Sequence, residues 1–249
     1  MIQKTKTITL GFAILFSISS CGQPSEAQFI VSEAVLTDEL KQEIEVLKKR
    51  ASLLYEDEDY SVRGTCSGEW GGSIWFKNKK TGIEYSSEAT CPVSVNKLNG
   101  TYYVTASLGH MSGSCEVLEI TQPDSMEVFR MPQPRKKHGK KTLYYVGDTE
   151  SKSTRGIRKI VDKFDMLVLG SFVFQGELFH IVTDDNKTYV ATIRGQEFSE
   201  LKIITTENIF TYDQTVVRTS KRHLMIPIKG GYLDVFENQI VILKATDTH

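Results

Sequence analysis

The chain carries little of what would assign it a chemistry. Its five histidines include no pair four residues apart and no His-Glu-x-x-His, so the spacing that lets one helix face hold zinc is missing. Excess charge of one sign is missing too. Lys and Arg total 30 against 31 Asp and Glu, a net of −1, which gives no electrostatic reason to expect a nucleic-acid partner. Gly139-Lys140-Lys141-Thr142 fails as a phosphate loop, because Pro134 stands where the first glycine belongs and Lys141 where Ser or Thr belongs. Gly109-His110-Met111-Ser112-Gly113 is not the Gly-x-Ser-x-Gly elbow of a serine hydrolase. Long apolar runs are also lacking. The one such stretch, Ile8 to Ile18, has 11 residues, short of the about 20 that a spanning helix needs.

What is present begins at that stretch. Lys4 and Lys6, with no acid, precede it, and a basic segment before a short apolar core is the form of a secretory signal peptide. The core ends in Ile18-Ser19-Ser20-Cys21, an aliphatic residue, two small residues and a cysteine. This resembles the lipobox of bacterial lipoproteins. The resemblance covers residues 1–21. It implies cleavage before Cys21, a diacylglycerol thioether on Cys21, and further acylation (palmitate-type chains) of its amino group. More than one chain gives durable membrane anchoring where a single chain binds only marginally. Gly22 stands where an aspartate would signal inner-membrane retention, so the resemblance points to the cell outer membrane, with the periplasmic or surface face left open.

Removing residues 1–20 from 249 leaves 229 residues, and losing two lysines moves the charge from −1 to −3. That length suffices for one all-β domain or two small ones, and the body is expected to be soluble. Three cysteines remain in an oxidising compartment: Cys66, Cys91 and Cys115. Extending a hairpin ladder around 78–82 brings Cys66 close to Cys91, whereas Cys115 falls one strand further out. Cys66–Cys91 is therefore the expected disulfide, with three reduced core cysteines as the alternative.

Residues 21–35 read as a polar tether and 36–56 as an amphipathic helix. Thr37 is its expected N-cap, and Leu40, Ile44, Leu47, Ala51 and Leu54 form one apolar stripe. Packing on the body is preferred over docking to a partner. From 57 to 249 the pattern is short runs rich in β-branched and aromatic residues, such as Tyr102-Tyr103-Val104 and Ile240-Val241-Ile242-Leu243, divided by turn residues. The expected fold class is mainly β, with short antiparallel strands and one N-terminal helix. Leu98-Asn99-Gly100-Thr101-Tyr102 and Phe174-Gln175-Gly176-Glu177-Leu178 echo each other, each a turn leading into an aromatic strand. The echo favours a β-propeller-like arrangement of four or five blades over a sandwich or barrel, although no Trp-Asp or Gly-His signature accompanies it. Residues 131–160, with the basic run 135–141, read as an exposed insertion.

Candidate site residues are few. Glu69 and His110 are weak catalytic candidates, His110 because a base and the nucleophiles Ser112 and Cys115 share its loop. Trp70 and Trp75, near Glu69 and three glycines, can be drawn as a sugar-stacking platform. The preferred alternative puts Trp75 in the core and Trp70 at a rim. Asp124-Ser125-Met126 resembles a three-residue O-glycosylation site. No metal or cofactor is expected. The favoured function is a non-enzymatic lipoprotein that holds the membrane through Cys21 and binds an envelope protein or a glycan. The alternatives are a lipid-anchored hydrolase of glycan or peptide, and a subunit of an envelope complex.

Overall fold

The structure, a computed structural model, describes residues 28–50, 53–133, 136–138, 141–211, 215–220 and 223–245. The lipobox and Cys21 lie outside the described residues. The chain is mainly β, with 57% in strands against 9% helical, and the described residues form no closed barrel.

Four sheets follow one another along the chain. The first joins β2 (Tyr55–Glu56), β3 (Tyr60–Cys66), β4 (Gly72–Asn78), β5 (Glu84–Glu88) and β9 (Glu127–Val128). The second has the order β12 (Arg158–Phe164), β8 (Ser114–Ile120), β7 (Thr101–Leu108), β6 (Pro92–Leu98). The third is a plain meander of β13 (Met166–Phe174), β14 (Glu177–Asp184), β15 (Thr188–Arg194) and β16 (Glu197–Thr205). The fourth runs β17 (Val217–Ser220), β18 (His223–Ile228), β19 (Gly231–Phe236), β20 (Gln239–Ala245), and ends on β1 (Ile30–Leu36). Among the described residues all pairings are antiparallel except β1 on β20. A short hairpin, β10 (Lys136–His138) with β11 (Lys141–Leu143), stands apart.

Turn chemistry explains the sequence echo. Asn99 and Gly100 both have positive φ (49° and 83°), as do Gln175 and Gly176 (49° and 79°). Two left-handed residues in a row make the tight hairpin turn whose twist matches the flanking strands.

Each sheet buries a face against the next. Val62, Ile74 and Phe76 of the first meet Val95, Tyr102 and Leu118 of the second. Cys115 of the second packs with Val168, Val182 and Tyr189 of the third. Leu169, Phe179 and Ile181 of the third meet Leu224, Leu233 and Ile240 of the fourth. The far side of the fourth sheet is covered by α1 (Asp38–Arg50) through Ile44, Leu40 and Leu47. Arg218 on β17 donates to Asn96 Oδ1 on β6 at 3.1 Å and to the Ser171 carbonyl on β13 at 3.5 Å, linking three sheets. Burial draws its guanidinium down to about 10.

Several sequence expectations are corrected. The tether is shorter than 21–35, because residues 30–36 form β1 beside β20. The helix is described as far as Arg50 and does not reach 56. Ala51 lies outside the described residues, Leu54 turns into the core between the first and second sheets, and Tyr55 begins β2. Thr37 does cap α1, its Oγ1 accepting from the Leu40 N–H at 3.3 Å. The segment 131–160 is not one exposed insertion. Glu150 and Ser151 are buried, and β12 completes the second sheet beside β8. Positions 135, 139 and 140 of the basic run lie outside the described residues, while 136–138 and 141 belong to the hairpin.

Candidate binding site

The clearest polar construction in the molecule is the carboxylate of Glu150. It is 6% exposed, yet among the described residues no lysine or arginine is one of the groups that hold it. Three hydroxyls from the first sheet's end donate to it instead: Thr65 (2.5 Å) and Ser73 (2.7 Å) to Oε2, Ser67 (2.7 Å) to Oε1. A buried charge needs such donors, since removing it from water without them costs several kcal/mol (about 2–7 even for a neutral polar group). Two of the hydroxyls are themselves oriented. Thr65 Oγ1 accepts the Trp75 indole N–H at 3.0 Å, and Ser73 Oγ accepts the Ser151 backbone N–H at 2.7 Å. Their hydrogens are thereby directed at Glu150. A carboxylate offers about four lone-pair sites, so roughly one remains for anything else.

The segment carrying Glu150 is laced across the first sheet. A turn at 145–150 is closed by the Asp148 N–H to Tyr145 O (3.0 Å) and the Glu150 N–H to Gly147 O (3.1 Å). Further on, the Ser153 carbonyl accepts from Ser87 Oγ (2.6 Å) and the Glu88 N–H (2.8 Å). Between this segment and β5 and β9 lies a cavity of about 430 Å³, lined by Ser86, Phe129, Arg130, Asp148, Glu150 and Lys152 among others. The Ser86 hydroxyl in this lining is buried and has no hydrogen-bond partner among the described residues. Three acids (Glu127, Asp148, Glu150) face two cations (Arg130, Lys152), so the lining does not select strongly for either sign.

The sequence candidates gather around this cavity without forming the arrangement expected of them. Trp75 is 3% exposed, with Phe129 edge-on at 4.7 Å and the Arg63 guanidinium 4.3 Å from its ring centroid, so it is core and not a ligand platform. Trp70 is 47% exposed at the rim. Lys152 Nζ donates to its carbonyl at 3.1 Å, and Gly147, at φ 82°, is packed so closely that an added Cβ would lie 3.0 Å from the Trp70 Cβ. Glu69 is exposed beside it and holds none of these groups. Exposed Tyr144, Tyr145 and Val146 precede Gly147 in the chain.

His110 is exposed in a turn, whereas Cys115 of the same loop region is buried against the third sheet. Burial pushes that thiol up to about 12, with help from Asp162 and Glu116, which keeps it protonated and inert. The loop therefore does not set the Cys115 thiol beside His110 as a nucleophile. Ser125 Oγ donates to the Gln122 carbonyl at 2.7 Å, and Met126 beside it is buried. Cys66 and Cys91 are joined by a disulfide, Cα to Cα 4.4 Å. Their meeting does not follow the hairpin ladder. Cys66 pairs with Gly72 at the end of β3, and Cys91 sits on the link from the first sheet to the second.

A larger cavity of about 710 Å³ lies beside α1 with Lys41, Lys48 and Lys229 in its lining. No described buried polar group stands in it unpartnered. Among the described residues no group of three or more His, Cys, Asp or Glu is gathered to hold a metal. Sequence reasoning missed Glu150 because its partners lie 77 to 85 residues away and nothing local marks it. No family model, no curated protein and no solved structure matches this chain.

Proposed function

We propose that the chain is a lipid-tethered lipoprotein of the bacterial envelope, held through Cys21, whose β body is a non-enzymatic binding module. Within that reading the four sheets are the blades of a propeller-like body, with Arg218 near the axis where their inner strands converge. The observation that carries the binding reading is the Glu150 cavity. It has a pre-oriented polar floor, an unpartnered Ser86 hydroxyl and an apolar rim, and its volume falls within the about 300–1,000 Å³ typical of ligand sites. Binding is favoured over hydrolysis because three fixed hydroxyls already occupy the Glu150 carboxylate, and the Glu69 and His110 candidates stand exposed with no partner group aimed at them among the described residues. The test is fractionation and in-cell crosslinking of wild type against Cys21→Ser. Wild type is expected in the membrane fraction with a specific crosslinked partner. Cys21→Ser should be released and should lose that partner. A Cys21→Ser protein that stays on the membrane would sink the tether.

A further inference from the structure

We infer that the ligand of the Glu150 cavity is a saccharide, gripped by the Ser86 hydroxyl and Glu150 on the floor and by the Phe129 ring at the wall. This deepens the binding-module reading and rests on it.

The lining decides between ligand classes. An anion would meet three carboxylates against two cations. A lipid tail would meet a floor of hydroxyls and a carboxylate, which would lose hydrogen bonds to water without replacement. A polyol ring matches both halves. Its hydroxyls donate and accept at once, which suits the free Ser86 hydroxyl and the last acceptor site of Glu150. Its C–H face suits an aromatic wall. Phe129 supplies one, and it is held in place edge-on to Trp75 at 4.7 Å. Trp70 at the rim, fixed through Lys152 and Gly147, extends that surface toward a neighbouring ring.

The Ser86 observation gives the inference its direction. A buried hydroxyl without a partner is costly to keep, and on a residue that lines a cavity a single side-chain rotation would turn it to an incoming polar group that supplies what the free protein lacks. Floors assembled for such exchange discriminate well, because a ligand that lacks the matching hydroxyl leaves the floor unsatisfied.

The test uses the full chain in detergent, probed on an array of neutral and acidic oligosaccharides, with titration calorimetry on any oligosaccharide that binds. Wild type is expected to bind a saccharide on the array. Ser86→Ala and Phe129→Leu should each weaken that binding about tenfold while leaving the thermal midpoint in place. Glu150→Gln should weaken it more, but this variant also disturbs the hydroxyl cage, so the two milder variants decide the outcome. Equal affinity in Ser86→Ala, Phe129→Leu and wild type would overturn the site. Binding of nothing on the array would overturn the saccharide. If Cys21-dependent crosslinking to a partner persisted in that case, and weakened in Ser86→Ala, the binding module would stand with a protein ligand instead. Loss of both would take the module reading down as well.

Discussion

The contact between the third and fourth sheets is made of side-chain hydrocarbon: Leu167, Phe172, Phe179 and Ile181 against Leu224, Ile226, Leu233 and Ile242. The contact between the second and third is mixed. Beside Val168 and Val182 it holds a knot around Ser171, whose Oγ meets Ser94 Oγ (2.7 Å), Asn96 Nδ2 (2.8 Å) and Thr105 Oγ1 (2.9 Å). A bulge between Val168 and Gly170 interrupts the ladder there, and Ser107 Oγ takes up the Val168 N–H at 3.1 Å. The neighbouring His180 is fully buried, and neither ring nitrogen has a hydrogen-bond partner among the described residues. The first contact stabilises without direction, in proportion to area removed from water. The second adds little net energy per bond, but it accepts only one alignment, since a shifted sheet would strand several buried hydroxyls. One seam holds the body together and the other sets how its halves face each other.

The largest effect should come from the apolar seam. Phe179→Ala is expected to destabilise by about 3–5 kcal/mol in denaturant unfolding, the range for emptying a packed aromatic site. A loss under about 1 kcal/mol would break the contrast.

Acid should find the mixed seam next. Burial holds the His180 imidazole down at about 3, below its ordinary 6.5, so the unfolded chain takes up the proton first. Its contribution is complete above about pH 6.5 and is lost as pH falls toward 3, at up to roughly 1.4 kcal/mol per pH unit. His180→Leu should flatten that part of the stability profile with little change at about pH 8. An unchanged slope between about pH 6 and 4 would mean that other groups carry it.

Ser171→Ala takes one hydrogen-bond partner from each of Ser94, Asn96 and Thr105, while Ser94 keeps the residue-171 backbone N–H and Asn96 keeps Arg218, and should cost about 1–3 kcal/mol. The double variant with Ser94→Ala should cost less than the sum of the singles, because the two share one network. Strict additivity would show that the knot is a set of independent bonds.

The smallest effect is assigned to the exposed loop. His110→Ala should leave stability within about 0.5 kcal/mol, as expected at an exposed surface position, and should leave saccharide binding unaltered.

The strands with a clear apolar alternation are legible in the sequence. β7 and β20 stand where Tyr102-Tyr103-Val104 and Ile240-Val241-Ile242-Leu243 put them, and the two echoing turns have left-handed residues at Asn99-Gly100 and Gln175-Gly176. β1 and β12 are not legible. Both are edge strands. β12 carries charged outward positions, and such an edge reads like a loop because its chemistry wards off unwanted pairing, while in β1 the exposed Ser32 and Glu33 break the apolar pattern. The helix reads too long because Leu54 keeps the helical spacing while serving a different core. The candidate site is legible only at its rim, as Trp70. His180 reads as an ordinary packing residue, and its strand gives no hint that both nitrogens lack partners among the described residues. Distant pairing alone creates both the Glu150 cage and the His180 chamber.

The parallel pairing of β1 with β20 has a mechanical consequence. Seven residues from Ile30 to Leu36 lie in register beside Gln239 to Ala245. A pull on the chain ahead of Phe29 runs along the strand, so the slanted bonds of the ladder are loaded together in shear instead of being peeled singly. A body leashed to a membrane from that side would transmit traction into its last sheet, and β1 would serve as the hitch that must slip before the rest can unravel.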